Sequence, residues 1–162
     1  MNHNRLLEEM FRYEAGVPGR LQHLLKVHAF SKLIGEEEGL DEETLATLEA
    51  ASIVHDIGIR PSMEKYGSGA GPLQEKEGAP AAYEMLTRLG YGEKRAERVS
   101  YLVGHHHTYS DIDGPDYQIL VEADFLVNLY ENGDGKEEAL SVRERIFRTE
   151  TGKRILNDMF EL

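Results

Sequence analysis

The sequence predicts an all-α protein, a compact single-domain bundle of about six to eight helices. Three observations predict it. Apolar residues recur at i, i+3 and i+4 along most of the chain. Strand-type alternation is scarce, and glycines and prolines fall where helices would begin and end. At 162 residues the chain can bury a substantial core. With no internal repeat, low-complexity tract or long Pro/Ser-rich linker, residues 1–162 read as one domain.

The elements follow in order. Pro18 suits the first turn of a helix running through GRLQHLLKVHAFSKLIGEEEG to Gly39, a C′ glycine. Asp41 is an N-cap for EETLATLEAASIVHDIG, which closes at Gly58. The Gly- and Pro-rich stretch IRPSMEKYGSGAGPLQ reads as a loop. Gly67, Gly69 and Gly71 would make it mobile enough to act as a lid. A helix follows from about Glu75 to Leu89, and another from about Glu93 towards the run His105–His107. Pro115 opens DYQILVEADFLVNLYE, and two shorter helices, about 136–148 and 152–161, finish the chain.

Composition narrows the function. There are no cysteines, so disulfides and thiolate metal sites are excluded. A formal charge of −12 argues against a nucleic acid polymer, whose phosphates demand a surplus of Lys and Arg. It leaves room for a small phosphorylated substrate, because a pocket can be locally positive on an acidic protein. MNHNRLLEEM has no apolar core of signal-peptide length, and no run approaches the ~18 apolar residues of a membrane span. A cytoplasmic protein without a membrane partner is the expectation; oligomeric state is open.

Three helices each carry an ionisable group on the face that should pack inward. Asp124 shares a face with Tyr117, Leu120, Val121, Val127 and Asn128. His23 lies in line with Val27, Phe30 and Ile34, and His55 follows Leu48, Ala51 and Ser52. One inward His is ordinarily a hydrogen-bonded core residue, and one inward Asp ordinarily caps a helix or pairs with an Arg. The combination is harder to satisfy. An unpaired buried carboxylate costs several kcal/mol, which neutral imidazoles do not repay. A divalent cation shared by His23, His55, Asp56 and Asp124 satisfies all four. Imidazole and carboxylate ligands suit Fe, Mn, Zn, Ni or Co, with Mg a further possibility. His28, five residues from His23, points about 140° away and cannot share the ion. His28 and His3 read as structural or surface residues.

The order His … His-Asp … Asp, with VHDIG at a helix end and EAD on a later helix, resembles the HD superfamily of metal-dependent phosphohydrolases. The likeness covers roughly residues 18–131. It implies an all-helical fold and a first metal on His23, His55, Asp56 and Asp124, with Asp56 bridging to a second metal where one exists. In two-metal members the further ligands come from two intervening helices. Glu77 stands where the first of these would be, and VGHHHTY supplies the second. Consecutive helical residues point about 100° apart, so the three His cannot all face one ion. His106 is favoured, His105 comes next, and His107 is the exposed or supporting member. One or two divalent ions per chain are expected.

A dication would neutralise charge on phosphate oxygens and acidify water. Arg20, one turn before His23, carries over by resemblance as a phosphate-binding and catalytic residue beside Asp56. Arg60 and Lys26 are further substrate-binding candidates. The expected activity is hydrolysis of a phosphoester of a small molecule or nucleotide. Two alternatives stand: a di-iron oxygenase on the same scaffold, and a non-catalytic sensor of metal or nucleotide. No GxxxxGK[ST] loop is present. The residues after the His run also lack the Gly-Tyr-Pro signature of the branch that cleaves cyclic-di-GMP.

Overall fold

The computed structural model describes residues 1–162. It has no strand and nine helices: α1 (Asn4–Tyr13), α2 (Pro18–Glu37), α3 (Glu42–Val54), α4 (Ile59–Tyr66), α5 (Gly71–Arg88), α6 (Glu93–Val103), α7 (Pro115–Glu131), α8 (Lys136–Arg145) and α9 (Glu150–Phe160). The all-α expectation holds, and the seven helices read from the sequence are present with shifted ends. No helix is long and apolar enough to cross a membrane.

The centre is built from α2, α3 and α7, which pack on one another. Nine of 13 residues of α3 and eleven of 17 of α7 are buried, so both are enclosed on most sides rather than along one stripe. That is why polar groups on them must find partners inside the protein. The pair α5–α6 docks through α6 onto α3, and α8 and α9 close the other side against α7. The caps follow the sequence. Asp41 Oδ1 accepts from the Thr44 amide at 2.8 Å, and Gly39 takes the left-handed conformation (φ +77°) that ends the preceding helix.

Two helices were not read from the sequence. The first is α1, whose Leu6 and Met10, one turn apart, enter the core. It is fastened at its start by His3, whose Nδ1 lies 2.8 Å from the Tyr91 hydroxyl; burial pushes the His3 imidazole down to about 4. The second is α4, which occupies the stretch expected to be a lid. Pro61 is its third residue, where a missing N–H costs nothing, and Gly67 at φ +66° terminates it. The irregular segment shrinks to 67–70, because α5 begins at Gly71 rather than near Glu75.

One close approach positions everything downstream of the His-Asp pair. A Cβ on Gly58 would lie 2.2 Å from the Gln74 carbonyl oxygen and 2.7 Å from the Gly78 nitrogen. A Cβ on Gly78 would in turn lie 2.8 Å from Val103 Cγ1. Glycine at both positions lets α5 press against the turn that follows Asp56. Tyr13 holds the same turn from the opposite helix, its hydroxyl donating to the Ile57 carbonyl at 2.9 Å. Gly58→Ala should therefore cost about 1–3 kcal/mol through overpacking against backbone. The readout is a lowered denaturant midpoint at unchanged m-value; wild-type stability would mean that α5 is free to yield.

Candidate metal centre

Four elements deliver the central side chains. His23 comes from the first half of α2, His55 caps the C-terminus of α3, Asp56 follows in the turn, and Asp124 sits mid-way along α7. His55 and Asp124 are buried and His23 nearly so, while Asp56 is partly open to solvent. His23 Nε2 lies 3.0 Å from His55 Nε2, 3.1 Å from Asp124 Oδ1 and 3.2 Å from Asp56 Oδ2. His55 Nε2 is 3.4 Å from both Asp56 Oδ2 and Asp124 Oδ1. These separations equal the edges of a coordination polyhedron whose metal–ligand bonds are about 2.0–2.2 Å.

The far side of each ring decides what the near side can be. His55 Nδ1 donates to the Ser52 carbonyl and His106 Nδ1 to the Val103 carbonyl, each at 2.7 Å. A carbonyl oxygen can only accept, so both Nδ1 atoms carry the proton. His23 Nδ1 donates to Glu131 Oε1 at 2.6 Å. In the neutral state all three rings thus aim lone pairs inward, at one another and at two carboxylates. Acceptors facing acceptors at this distance require positive charge between them, from an ion or from added protons. His106 Nε2 is buried and has no hydrogen-bond partner. The donor set therefore fits a divalent ion, and it fits the oxygen- and nitrogen-preferring metals.

Protons can supply the same positive charge, and the titration of the groups reflects that. Burial opposes charge on His55, but the carboxylates of Asp56 and Asp124 outweigh it and raise its pKa well above the usual value. His23 is raised in the same way, burial being overcome by its bond to Asp124 and by the Asp56 charge. Asp56 and Asp124 are held below the usual carboxylate range: burial works against this, and His55 with its neighbouring imidazoles prevails.

Asp56 also belongs to a second donor group. Its Oδ1 lies 3.4 Å from His106 Nε2, while its Oδ2 faces His23 and His55. Ligand atoms of Asp56, His106 and His107 lie within 4.8 Å of one another, as do those of His23, His55 and Asp56. One carboxylate is thus shared by two groups that could each hold a metal ion. Three sequence expectations are corrected here. His105, ranked second, turns away: its Nδ1 donates to the Tyr101 carbonyl and its ring stacks on Tyr101 at 4.0 Å. His107, expected to be peripheral, joins the second group instead. The reason is that α6 ends at Val103, so the three His occupy a turn to which the helical 100° step does not apply. Glu77 joins neither group; on the longer α5 it faces α4 and pairs with Lys65. The α5 carboxylate near the second group is Glu75, which accepts from the His107 amide at 3.2 Å and the Thr108 hydroxyl at 2.9 Å.

The cationic candidates lie at the rim, each held by an acid. Arg20 Nη1 donates to Glu14 Oε2 at 2.8 Å, and Arg60 Nε lies 3.6 Å from Glu14 Oε1. Lys26 pairs with Glu131 at 2.8 Å. Glu14 and Glu131 were not singled out in the sequence. Glu131 carried a signal, standing seven residues after Asp124 on the same face of α7. Glu14 carried none, because it sits in the irregular joint between α1 and α2.

The family model for the HD domain matches residues 20–148. With this likeness extending over most of the chain and over every helix that carries a central ligand, the protein belongs to the HD domain family. No curated protein and no solved structure gives a significant match.

Metal analysis of purified variants separates the two donor groups. His106→Ala should remove the second ion and leave the first, whereas His105→Ala and Glu77→Ala should leave the metal-to-protein ratio unchanged. Loss of metal on His105→Ala would contradict the assignment. Glu131→Gln, which weakens the brace behind His23, should reduce affinity at the first site about 10–100-fold.

Proposed function

We propose that this chain is a metal-dependent phosphohydrolase that cleaves a phosphoester of a small molecule or nucleotide. The observation that carries the reading is the convergence of three imidazole lone pairs on the two oxygens of a single carboxylate, Asp56. Membership of the HD domain family, which is generally hydrolytic, supports it. When bound, divalent cations supply polarisation of a phosphoryl oxygen and lower the pKa of water at the site.

The chain's own residues divide the remaining work. Asp56 is the common ligand of both donor groups and sets their spacing. It is also the most open of the first-site residues, so a reacting group approaches from its side. His23, His55 and Asp124 are fixed from behind by Glu131, the Ser52 carbonyl and the packing of α7. Arg20 and Arg60 meet the phosphate oxygens that face away from the ions. Glu14 holds both guanidinium groups in place until substrate arrives, leaving other N–H donors of each free for bidentate contact. Lys26 is the weaker candidate, because its ammonium is engaged with the carboxylate that orients His23.

Phosphate release from a panel of phosphate monoesters and nucleotides, with Mn, Co or Ni supplied, tests the reading. Asp56→Ala should abolish both metal content and turnover. Arg20→Ala should keep the metal and raise KM about tenfold or more through the lost charge-assisted contact. Undiminished turnover by Asp56→Ala would refute the proposal.

A further inference from the structure

The acidic chain has a basic stretch near its C-terminal end. From Arg143 to Arg154 there are five basic and two acidic side chains, a net of +3 against −12 for the whole protein. Its charges are poorly compensated. Arg148 has no carboxylate partner and donates to the backbone carbonyls of Phe147, Glu144 and Arg145. Arg145 reaches only an exposed Glu138, at 3.9 Å, and the Ser141 hydroxyl.

Two arginines of this stretch line a cavity beside α7, the helix that carries Asp124. A cavity of about 210 Å³ is lined by Tyr109, Ile112, Gln118, Arg145, Ile146 and Arg148. Gln118 precedes Asp124 by six residues, about 9 Å along α7. Tyr109 links the cavity to α7 on the side of the centre. Its ring packs at 5.2 Å on Phe125, the neighbour of Asp124 in sequence. Two further cavities lie beyond the first, one sharing Arg148 with it and the next lined by Arg143, Lys153 and Arg154.

We infer that the Arg145–Arg148 cavity is a second anion subsite of the substrate pocket. It would take a phosphate or carboxylate group carried on the same small molecule whose phosphoester lies at the Asp56 centre, with an aromatic or sugar portion resting on Tyr109. Two features select this occupant. The charge is complementary to an anion on a protein otherwise hostile to one. Tyr109, which lines the cavity, also touches Phe125, the residue that follows Asp124. An aromatic wall between two anion-binding ends matches a nucleotide-like compound bearing separated anionic groups, since ring faces stack on bases without demanding their identity. A compound with a single phosphate fills only one end.

The inference rests on the phosphohydrolase reading, but equilibrium binding tests it separately from turnover. The probes are a nucleoside bisphosphate with its phosphates on different ribose carbons and the matching nucleoside monophosphate. They are titrated into the metal-loaded full chain by calorimetry at low salt. The bisphosphate should bind about tenfold more tightly. The double variant Arg145→Ala, Arg148→Ala should erase that difference while leaving metal content and monophosphate affinity unchanged. Raised ionic strength should shrink the advantage in wild type. Equal affinities in wild type, or a difference that survives in the double variant, would overturn the subsite. So would a change of oligomeric state as the sole effect of the double variant, which would assign the stretch to contact with an acidic face of a second copy. Failure to release phosphate from any ester would count against the hydrolase reading and leave the binding result standing on its own.

Discussion

The organising constraint is electrostatic: imidazole nitrogens that have already given away their protons on one side cannot face each other on the other side without positive charge between them. His23, His55 and His106 are held in this state by acceptors behind each ring, and Asp56 and Asp124 add negative charge to the same space. The burial of α3 and α7 removes water as a remedy. The fold therefore builds a demand for positive charge into its own core, and its donor set is placed to meet that demand with a metal ion. That requirement ties together helices distant in sequence, because ligands from α2, α3 and α7 and the turn after α6 must meet within a few ångströms.

Around this centre the same chemistry is arranged in reverse. The arginines nearest the His-Asp turn share Glu14, and Lys26 pairs with Glu131, so two carboxylates compensate most of the positive charge of three cations at rest. A buried carboxylate flanked by two guanidinium groups has a structural use, since it fixes long side chains that would otherwise lose rotamer freedom on binding. The glycines at 58 and 78 serve the same end mechanically. They let α5 lie close against the turn and bring Glu75 to the His107 and Thr108 segment, which completes the wall of the second donor group.

The parts of this arrangement visible in the sequence are those governed by helical periodicity. His23, His55 and Asp124 stood out because each interrupts an apolar stripe, and the interruption survives whatever the helix ends do. The same rule would have found Glu131, on the face of Asp124, and α1, through Leu6 and Met10. Periodicity fails where the chain is not regular. The order of preference among His105, His106 and His107 assumed a helix that stops two residues short of the first of them. Glu77 is placed by resemblance alone, and on an α5 that begins at Gly71 it faces Lys65 of α4. The stretch with Pro61 and three glycines read as a lid, yet proline is harmless in the first turn of α4 and Gly67 merely ends it. Glu14 lies in a joint where no pattern operates, and its role exists only through contacts with Arg20 and Arg60. The basic stretch from Arg143 was present in the sequence throughout; what it borders depends on the placement of Tyr109, which three-dimensional packing alone decides.

Anomalous diffraction at the absorption edge of the co-purified metal tests the cation requirement most directly. The account predicts a peak among His23, His55, Asp56 and Asp124, with both Nε2 atoms about 2.0–2.2 Å from it. Crystals grown near neutral pH with added metal that show only solvent there, and imidazoles paired to the carboxylates by protons, would contradict it.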